Sequence, residues 1–449
     1  MRPRLSSRDL LSVMPCIAIE SSRSLRVSIV SLFAAFICAN FLPSTSQATV
    51  KKLTWEDCVA LARERNPDLK RAESLLTASD AEVKSGYAAF TPRLSVDLSF
   101  TREGERTNEG SRITNAGSYG AGLSANLNLF NGFADWYRLS QSQKKQQQAR
   151  WALAVARARA SAELKAAFSA AFIARRSVEL SEVIANRRKQ NADLIRLRYE
   201  TGNENKGSSL LASTYYEEAK LDLLRAKQES EAASAQLAKV LGLEEGEGLE
   251  VTGELPLNAP PSSQNFQEIL ATLPEQQQAR LEEEVQSFNV ELAKSAYYPS
   301  LNLIGTVGRG GLDFFPNDER WSVGLVLSFP LFGGGRDHFA LQSARANAFA
   351  AAYARESTTR QLLVQLKQAH ANFVQAEART KLARSFLDAA RLRSEIGRAR
   401  YNNGLLKFEE WDLIENELVD RERSLLTTQR DRVSAEASWE QILGKGAIP

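Results

Sequence analysis

Two periodicities alternate along the chain. In LSVDLSF (94–100), Leu94, Val96, Leu98 and Phe100 alternate with Ser95, Asp97 and Ser99. A period of two with apolar residues on one side predicts a strand with one apolar and one polar face. YGAGLSANLNLF (119–130) repeats the pattern, with Tyr119, Ala121, Leu123, Ala125, Leu127 and Leu129 on one face and Gly, Ser and Asn on the other. LNLIGTV (301–307) and WSVGLVLSFPLF (321–332) give a second pair, with Trp321, Val323, Leu325, Leu327 and Phe329 aligned. Strands are therefore predicted at about 93–103, 118–130, 300–308 and 320–331. After each pair the pattern turns helical. Residues 133–201 contain neither Gly nor Pro, and 336–403 contain only Gly397. At about 1.5 Å per residue, each run predicts a helix roughly 100 Å long. Twelve Ala in 149–174, with a stripe of Leu164, Phe168 and Phe172, point to close helix–helix packing. Shorter helices are expected at 68–91, 205–241 and 406–443.

The alternation occurs twice because the chain is a tandem repeat. NPDL (66–69) precedes Pro92 by the same interval as LPEQ (273–276) precedes Pro299. LFNG (129–132) and LFGG (331–334), RYETG (198–202) and RYNNG (400–404), and the LG pairs at 241–242 and 443–444 are all offset by 202 positions. The first repeat covers 49–242 and the second 266–449, joined by a Gly-, Pro- and Glu-rich linker at 243–265. Gly202 and Gly404 suit the left-handed position just past a helix end. Each RYxxG is thus read as the tip of a helical hairpin. The helix before the strands and the helix after the tip together match one long helix, which suggests a second rod formed by end-to-end stacking.

Composition adds restrictions. The 449 residues carry 25% charged side chains and a net charge of only +3, which gives no argument for a nucleic-acid partner. Mean hydropathy is −0.32, and no apolar run has the roughly 20 residues of a membrane-spanning helix. Arg23 and Arg26, the apolar stretch Val27–Leu42 and the small residues of SQA (46–48) have the grammar of a signal peptide, assigned to 1–48, with Met1 or Met14 as the start. Ile37 before Cys38 is too bulky for a usual lipoprotein cleavage site, so lipidation is not expected. Cys58 is the one cysteine after that segment and is read as a small buried residue. His338 and His370 are the only histidines and lack ligand-spaced partners. GRGG (308–311) and FGGGR (332–336) lack the frame and lysine of a phosphate-binding loop and are read as turns. No catalytic residues, metal or cofactor are expected.

The strands have membrane-strand length, a small polar face suited to a water-filled lumen, and aromatic residues where strand meets helix: Phe90, Phe130, Phe133, Trp136, Tyr137, Tyr297, Tyr298, Phe329 and Phe332. A soluble sheet covered by helices would alternate in the same way, but the signal peptide and the long helices favour a membrane. Four strands cannot close, and a membrane forbids open edges. Two copies would make an eight-stranded barrel filled by side chains; three would make twelve strands around an aqueous pore, the better choice for transport.

The ordered, duplicated landmarks NP…P…LFxG…RYxxG…LG, with paired strands behind a signal peptide, resemble the TolC family of outer-membrane efflux proteins over about 50–449. The resemblance implies a mainly α fold with membrane β: duplicated helical-hairpin and β-hairpin units, trimerising into a twelve-stranded outer-membrane β-barrel continuous with a long periplasmic α-helical barrel. It implies an exit channel in the outer membrane with a periplasmic extension, part of a tripartite efflux or type I secretion system. The partners implied are two more copies, a periplasmic adaptor (membrane fusion protein), an inner-membrane transporter and outer-membrane lipid. Arg198, Tyr199 and Gly202, with Arg400, Tyr401 and Gly404, become the adaptor-docking and gating ends. In the family, acidic residues six and nine positions after the tip glycine line the constriction. Glu410 holds the sixth position and Leu413 the ninth, leaving Asp412 or Glu409 to complete the ring. The alternative is a periplasmic helical-hairpin adaptor without a pore; such proteins insert one hairpin in β domains rather than interleaving two with strand pairs.

Overall fold

A computed structural model describes residues 51–105, 114–243, 249–262 and 264–448. The expected signal peptide, the middle of the first strand-to-strand loop and part of the linker lie outside the described residues.

The chain is mainly helical, and both halves run through the same elements. The first half holds β1 (Lys51–Leu53), α1 (Trp55–Arg65), α2 (Pro67–Gly86), β2 (Arg93–Glu105), β3 (Thr114–Asn131), α3 (Ala134–Glu200) and α4 (Lys206–Leu241). After β4 (Leu249–Val251), the second holds α5 (Phe266–Thr272), α6 (Pro274–Ser295), β5 (Ser300–Gly311), β6 (Asp318–Ser328), α7 (Arg336–Asn402) and α8 (Phe408–Ile442). The helix expected through 91 stops earlier, at Gly86, and a 3-10 turn covers Tyr87–Phe90. A Cβ at Gly86 would lie 3.1 Å from Leu139 of α3, so the glycine marks a close crossing.

The repeated landmarks have local causes. Asn66 caps α2 by accepting from the N–H groups of Asp68 and Leu69 at 2.9 and 3.1 Å, and Pro67 occupies the first turn, where no hydrogen bond is lost. The amide of Asn66 also donates to the Val240 carbonyl at 2.9 Å. Gly242, just beyond, has φ +69, and a Cβ there would strike the Arg65 carbonyl oxygen at 2.6 Å. In the second half Gly444 abuts Pro274 in the same way, its Cβ position 2.4 Å from the proline ring. The NP and LG landmarks therefore meet in space. At each junction the end of the post-tip helix reaches the start of the pre-strand helix.

Helix α3 packs on α2 and α4 along one side and on α6 and α8 along the other, and α7 packs on α6 and α8. Two long helices thus alternate with two stacked rods. The largest core lies where α1 and the end of α4 meet the Ala-rich part of α3. Leu164 and Phe168 are fully buried there with Cys58, Ala62, Leu237 and Leu241, and Trp55 meets Phe168 edge-on at 5.3 Å. Burial pushes the Cys58 thiol up to about 12. The small parallel ribbon β1–β4 closes this region. Lys165, buried in α3, pairs with Glu436 and Glu440 of α8 at 2.8 and 2.9 Å, and Glu436 also accepts from the Asn258 N–H, which ties the linker down.

The four long strands form one antiparallel sheet in the order β2-β3-β5-β6. In its central rows the register aligns like with like across all four strands. Ser95, Ser124, Thr306 and Ser322 form one row, with hydroxyl contacts of 2.6 Å between Ser95 and Ser124 and 2.7 Å between Thr306 and Ser322. The adjacent row on the other face is Val96, Leu123, Val307 and Trp321. Val96, Val323 and Trp321 are more than 70% exposed, so this chain alone leaves the apolar face uncovered. A bulge between Asn128 and Phe130 leaves Leu129 without a partner across the ladder, which interrupts the alternation expected there.

Left-handed residues follow the repeat. Gly132 and Gly334, Phe133 and Gly335, Gly202 and Gly404, and Gly242 and Gly444 all have positive φ at the 202-residue offset. Phe133 is the one non-glycine among them, at φ 65. These residues turn the chain from sheet to helix or end a helix. Gly202→Ala, in open space, should cost only the left-handed strain of about 1–2 kcal/mol. Gly242→Ala adds the clash with Arg65 and should lower the thermal midpoint in detergent distinctly more. Equal shifts would show that the junction with α1 does not constrain position 242.

Candidate functional site

The tips are built by one capping device. At the first, Asn203 N–H bonds to the Arg198 carbonyl at 2.8 Å and Gly202 N–H to the Tyr199 carbonyl at 3.0 Å. At the second, Leu405 N–H reaches Arg400 at 2.9 Å and Gly404 N–H reaches Tyr401 at 3.0 Å. This is the Schellman pattern, with glycine in the left-handed position, and it satisfies the last carbonyls of α3 and α7. Arg198 and Arg400 sit in the last turns, where positive charge is favoured. The next helices start differently. Asn205 accepts from the Ser208 N–H at 2.8 Å, whereas Lys407 offers no side-chain cap.

The two tyrosines have different fates. Tyr199 is 41% exposed and Tyr401 only 1%. The Tyr401 ring stacks on Trp411 at 4.5 Å with 11° between planes, and Phe408 closes on Trp411 edge-on. Ile195 and Ala212 of the first hairpin complete this small core. The Arg198 guanidinium lies 4.3 Å from the Tyr401 ring centroid and donates to the Asn402 carbonyl at 3.0 Å. The Tyr401 hydroxyl donates to Glu204 at 3.0 Å. Burial and the Glu204 hydrogen bond push the Tyr401 phenol up to about 12, opposed by Arg198. Arg198 and Glu204 of the first tip thus hold Tyr401 of the second. The repeat equivalents of Glu204 and Lys206 are Leu406 and Phe408, so the polar half of the contact lies on one hairpin and the apolar half on the other.

The structure brings Arg198 and Tyr401 together and leaves Tyr199, Gly202, Arg400 and Gly404 outside that contact. Glu409 and Glu410 are exposed on the first turn of α8, next to Leu413, itself 69% exposed. Asp412 is separated from them. It is half-buried, lies 3.5 Å from Arg188 of α3, and accepts from Asn416 at 3.0 Å. Burial raises its carboxyl above the usual range, with Arg188 working against that shift.

Asp412 borders a polar seam that the sequence reading did not single out. Glu415 and Glu422 are buried on α8, and Arg187 reaches both, at 3.5 and 2.8 Å. Ser394 of α7 donates to Glu415 and Arg188 to Asn416. Burial lowers the Arg188 pKa. The signal was present in the spacing: Phe408, Trp411, Glu415, Leu418 and Glu422 form an alternating three-and-four stripe, with glutamate in two core positions. Gly397 has a related explanation. A Cβ there would lie 3.1 Å from Ile414 and 3.7 Å from Trp411, so the glycine lets α7 and α8 approach beneath the tip.

Among the described residues no cluster of His, Cys, Asp and Glu is placed to hold a metal ion, and no helix is long and apolar enough to cross a membrane.

Comparison with known proteins gives a consistent picture. The family model described as Outer membrane efflux protein matches residues 58–243 and 265–445. The fusaric acid resistance protein FusA of Burkholderia cepacia is 25% identical over 316 residues, covering 65% of this chain and 57% of that protein. The alkaline protease secretion protein AprF of Pseudomonas aeruginosa is 24% identical over 238 residues, covering 50% of this chain and 49% of that one. The matches thus span about half the length of these two relatives. The crystal structure of the Campylobacter jejuni CmeC outer membrane channel superposes with a TM-score of 0.79 at 15% identity, over 87% of this chain and 85% of that one. At that identity the likeness establishes the fold.

The inter-hairpin contact predicts a pH response. The Tyr401 phenol ionises later in the folded chain than in the unfolded one. Its contribution to stability is therefore complete below about pH 10 and lost as pH rises towards about 12. Absorbance at 295 nm should show one late-titrating tyrosine, absent in Tyr401→Phe. That variant keeps the stacking and loses one hydrogen bond, a cost of about 0.5–1.5 kcal/mol. Removal of a mid-range titration instead would show that Tyr401 is open to solvent.

Proposed function

The chain belongs to the outer membrane efflux protein family, and from that premise we propose that three copies form a tube through the outer membrane. Each copy would contribute its four strands to a twelve-stranded barrel and its helices to a periplasmic extension. In this reading the tube is the exit duct of a tripartite efflux or type I secretion system. Cargo is received from an inner-membrane transporter through a periplasmic adaptor that docks on the hairpin tips. The observation that carries the reading is the sheet: one face mostly of Ser, Thr, Asn and Gly, one of exposed aliphatic and aromatic side chains, and two edges unpaired among the described residues, joined to helices of 67 residues. Such a sheet needs lipid on one side, water on the other and neighbours at both edges. A periplasmic adaptor, with one hairpin set in β domains, would not need this sheet. The relatives' names concern resistance to fusaric acid and secretion of an alkaline protease, which supports export without choosing the class of cargo.

The tips take the gating role. The exposed Tyr199, Arg400, Gly202 and Gly404 are the surface offered to the adaptor. Arg198 and Tyr401 are the latch that holds the second hairpin against the first. Glu409 and Glu410 are the carboxylates assigned to the periplasmic mouth, where three copies would concentrate negative charge and favour cations. Asp412, held by Arg188, supports the helix rather than the ring.

Purified protein in a planar bilayer should give discrete, cation-selective conductance steps. Glu410→Gln should reduce the cation preference while leaving a pore. Unchanged selectivity would remove Glu410 from the constriction. A protein that stays a buffer-soluble monomer would defeat the channel reading altogether. Arg198→Ala with Tyr401→Phe should raise the frequency of wide openings over the parent protein, and identical traces would rule out the latch.

A further inference from the structure

The β5–β6 connection exposes apolar rings where a water-facing loop would carry polar residues. Phe314 is 69% and Phe315 80% exposed. They are not isolated. Phe100 lies 4.8 Å from Tyr119, Tyr119 meets Phe314 edge-on at 5.5 Å, and Phe314 meets Phe315 at 5.0 Å. Phe100 and Tyr119 are cross-strand partners in the register of the apolar face, two residues beyond Leu98 and Ala121. The loop therefore folds over the outward side of the sheet and not over its hydroxyl side. Two glycines make room. Gly311 is the cross-strand partner of Tyr119, and a Cβ there would lie 3.4 Å from Pro316, which folds back on it. A Cβ at Gly117 would lie 3.4 Å from the Phe100 ring.

The height of this array fits a membrane boundary. The aromatics at the helix end of the sheet flank the row of Leu301 and Leu327. From Leu301 to Gly311 is ten steps along β5. At about 3.4 Å per step and a tilt of about 40°, that is roughly 25 Å, the height of the apolar band of a membrane barrel between its two aromatic girdles. On the β5–β6 side the aliphatic rows end at Val307 and Trp321, and the next outward pair is Arg309 with Glu319, joined at 2.6 Å. The strands at that level offer no ring on β5, only Gly311. The loop supplies Phe314 and Phe315 in its place.

We propose that Leu312–Pro316 is an outer-leaflet anchor: the stack Phe100–Tyr119–Phe314–Phe315 lies at the headgroup–acyl boundary of the lipid outside the cell, continuous with the apolar face of the sheet. The occupant of the patch is lipid, not a neighbouring copy, because the stack extends inward across β3 and β2 on the face that the aliphatic rows already present to lipid. This inference rests on the membrane reading above, and its test separates the two.

A nitroxide is attached at Phe315→Cys, at Val323→Cys in the aliphatic rows, or at Asn203→Cys on the exposed first tip. Cys16, Cys38 and Cys58 are replaced by Ala in all three variants. Each protein is reconstituted in phosphatidylethanolamine–phosphatidylglycerol vesicles, and collision rates with oxygen and with a water-soluble nickel chelate are compared. The expected oxygen-to-nickel ratio is highest at 323, several-fold above the tip value at 315, and lowest at 203. A label at 315 as open to nickel as the tip, with 323 in lipid, overturns the anchor and leaves the membrane reading intact. A label at 315 shielded from both reagents overturns it in favour of a protein neighbour. A label at 323 that behaves like the tip overturns both readings.

Discussion

Strands β2 and β6 each carry one row of peptide groups with no partner among the described residues, and most of the architecture follows from that. In water such an edge invites aggregation; in lipid each unsatisfied group costs several kcal/mol. Within the sheet the register brings hydroxyls together in the row of Ser95, Ser124, Thr306 and Ser322, and apolar side chains in the row of Val96, Leu123, Val307 and Trp321. The helical layer is open at the same two sides. On α7 a stripe including Phe339, Phe349 and Tyr353 is 66–70% exposed, and on the α2–α4 side Leu75 and Leu210 are 62% and 68% exposed. Sheet and helices are therefore open on the same sides, which is what the proposed closure by further copies of the chain would satisfy.

The sequence was most legible where period alone decides. The strands, the two long helices and the glycine-ended tips follow from alternation, unbroken helical runs and left-handed glycines, each a local property. Three-residue β1 and β4 offer no period, and their pairing depends on the linker returning to the first repeat. The landmarks NP and LG were readable as repeats, but their contact was not, because Asn66 and Val240 lie 174 residues apart. The tips show both sides of this limit. Lys206 opposite Phe408 already made them unequal. That Tyr401 is buried and Tyr199 is not depends on what the other hairpin provides at Arg198 and Glu204. Asp412 follows Glu409 and Glu410 closely in sequence, yet helical geometry turns it towards Arg188.

The buried charges of α8 show how a long seam can be specified. Apolar seams slide easily, since one leucine layer resembles the next. Here Glu415 and Glu422 occupy seam positions opposite Arg187, while Ile184 and Ile195 of α3 are buried above and below. A slip by one helical turn would carry Arg187 away from both carboxylates and, in one direction, set them against Ile184, at about 3–5 kcal/mol for each broken buried pair. Between this seam and the Lys165–Glu436 pair, α8 is fixed along α3 at two separated levels. The tip beyond the seam hangs on the Tyr401 contact.

That contact closes within a single chain: the ring belongs to one hairpin, and the arginine and glutamate that hold it belong to the other hairpin of the same polypeptide. In a ring of three, no subunit would need its neighbour's consent to let go. Opening would then be weakly cooperative, with intermediate bores set by how many copies have released, and a partner that engages one subunit at a time could widen the mouth in stages rather than all at once.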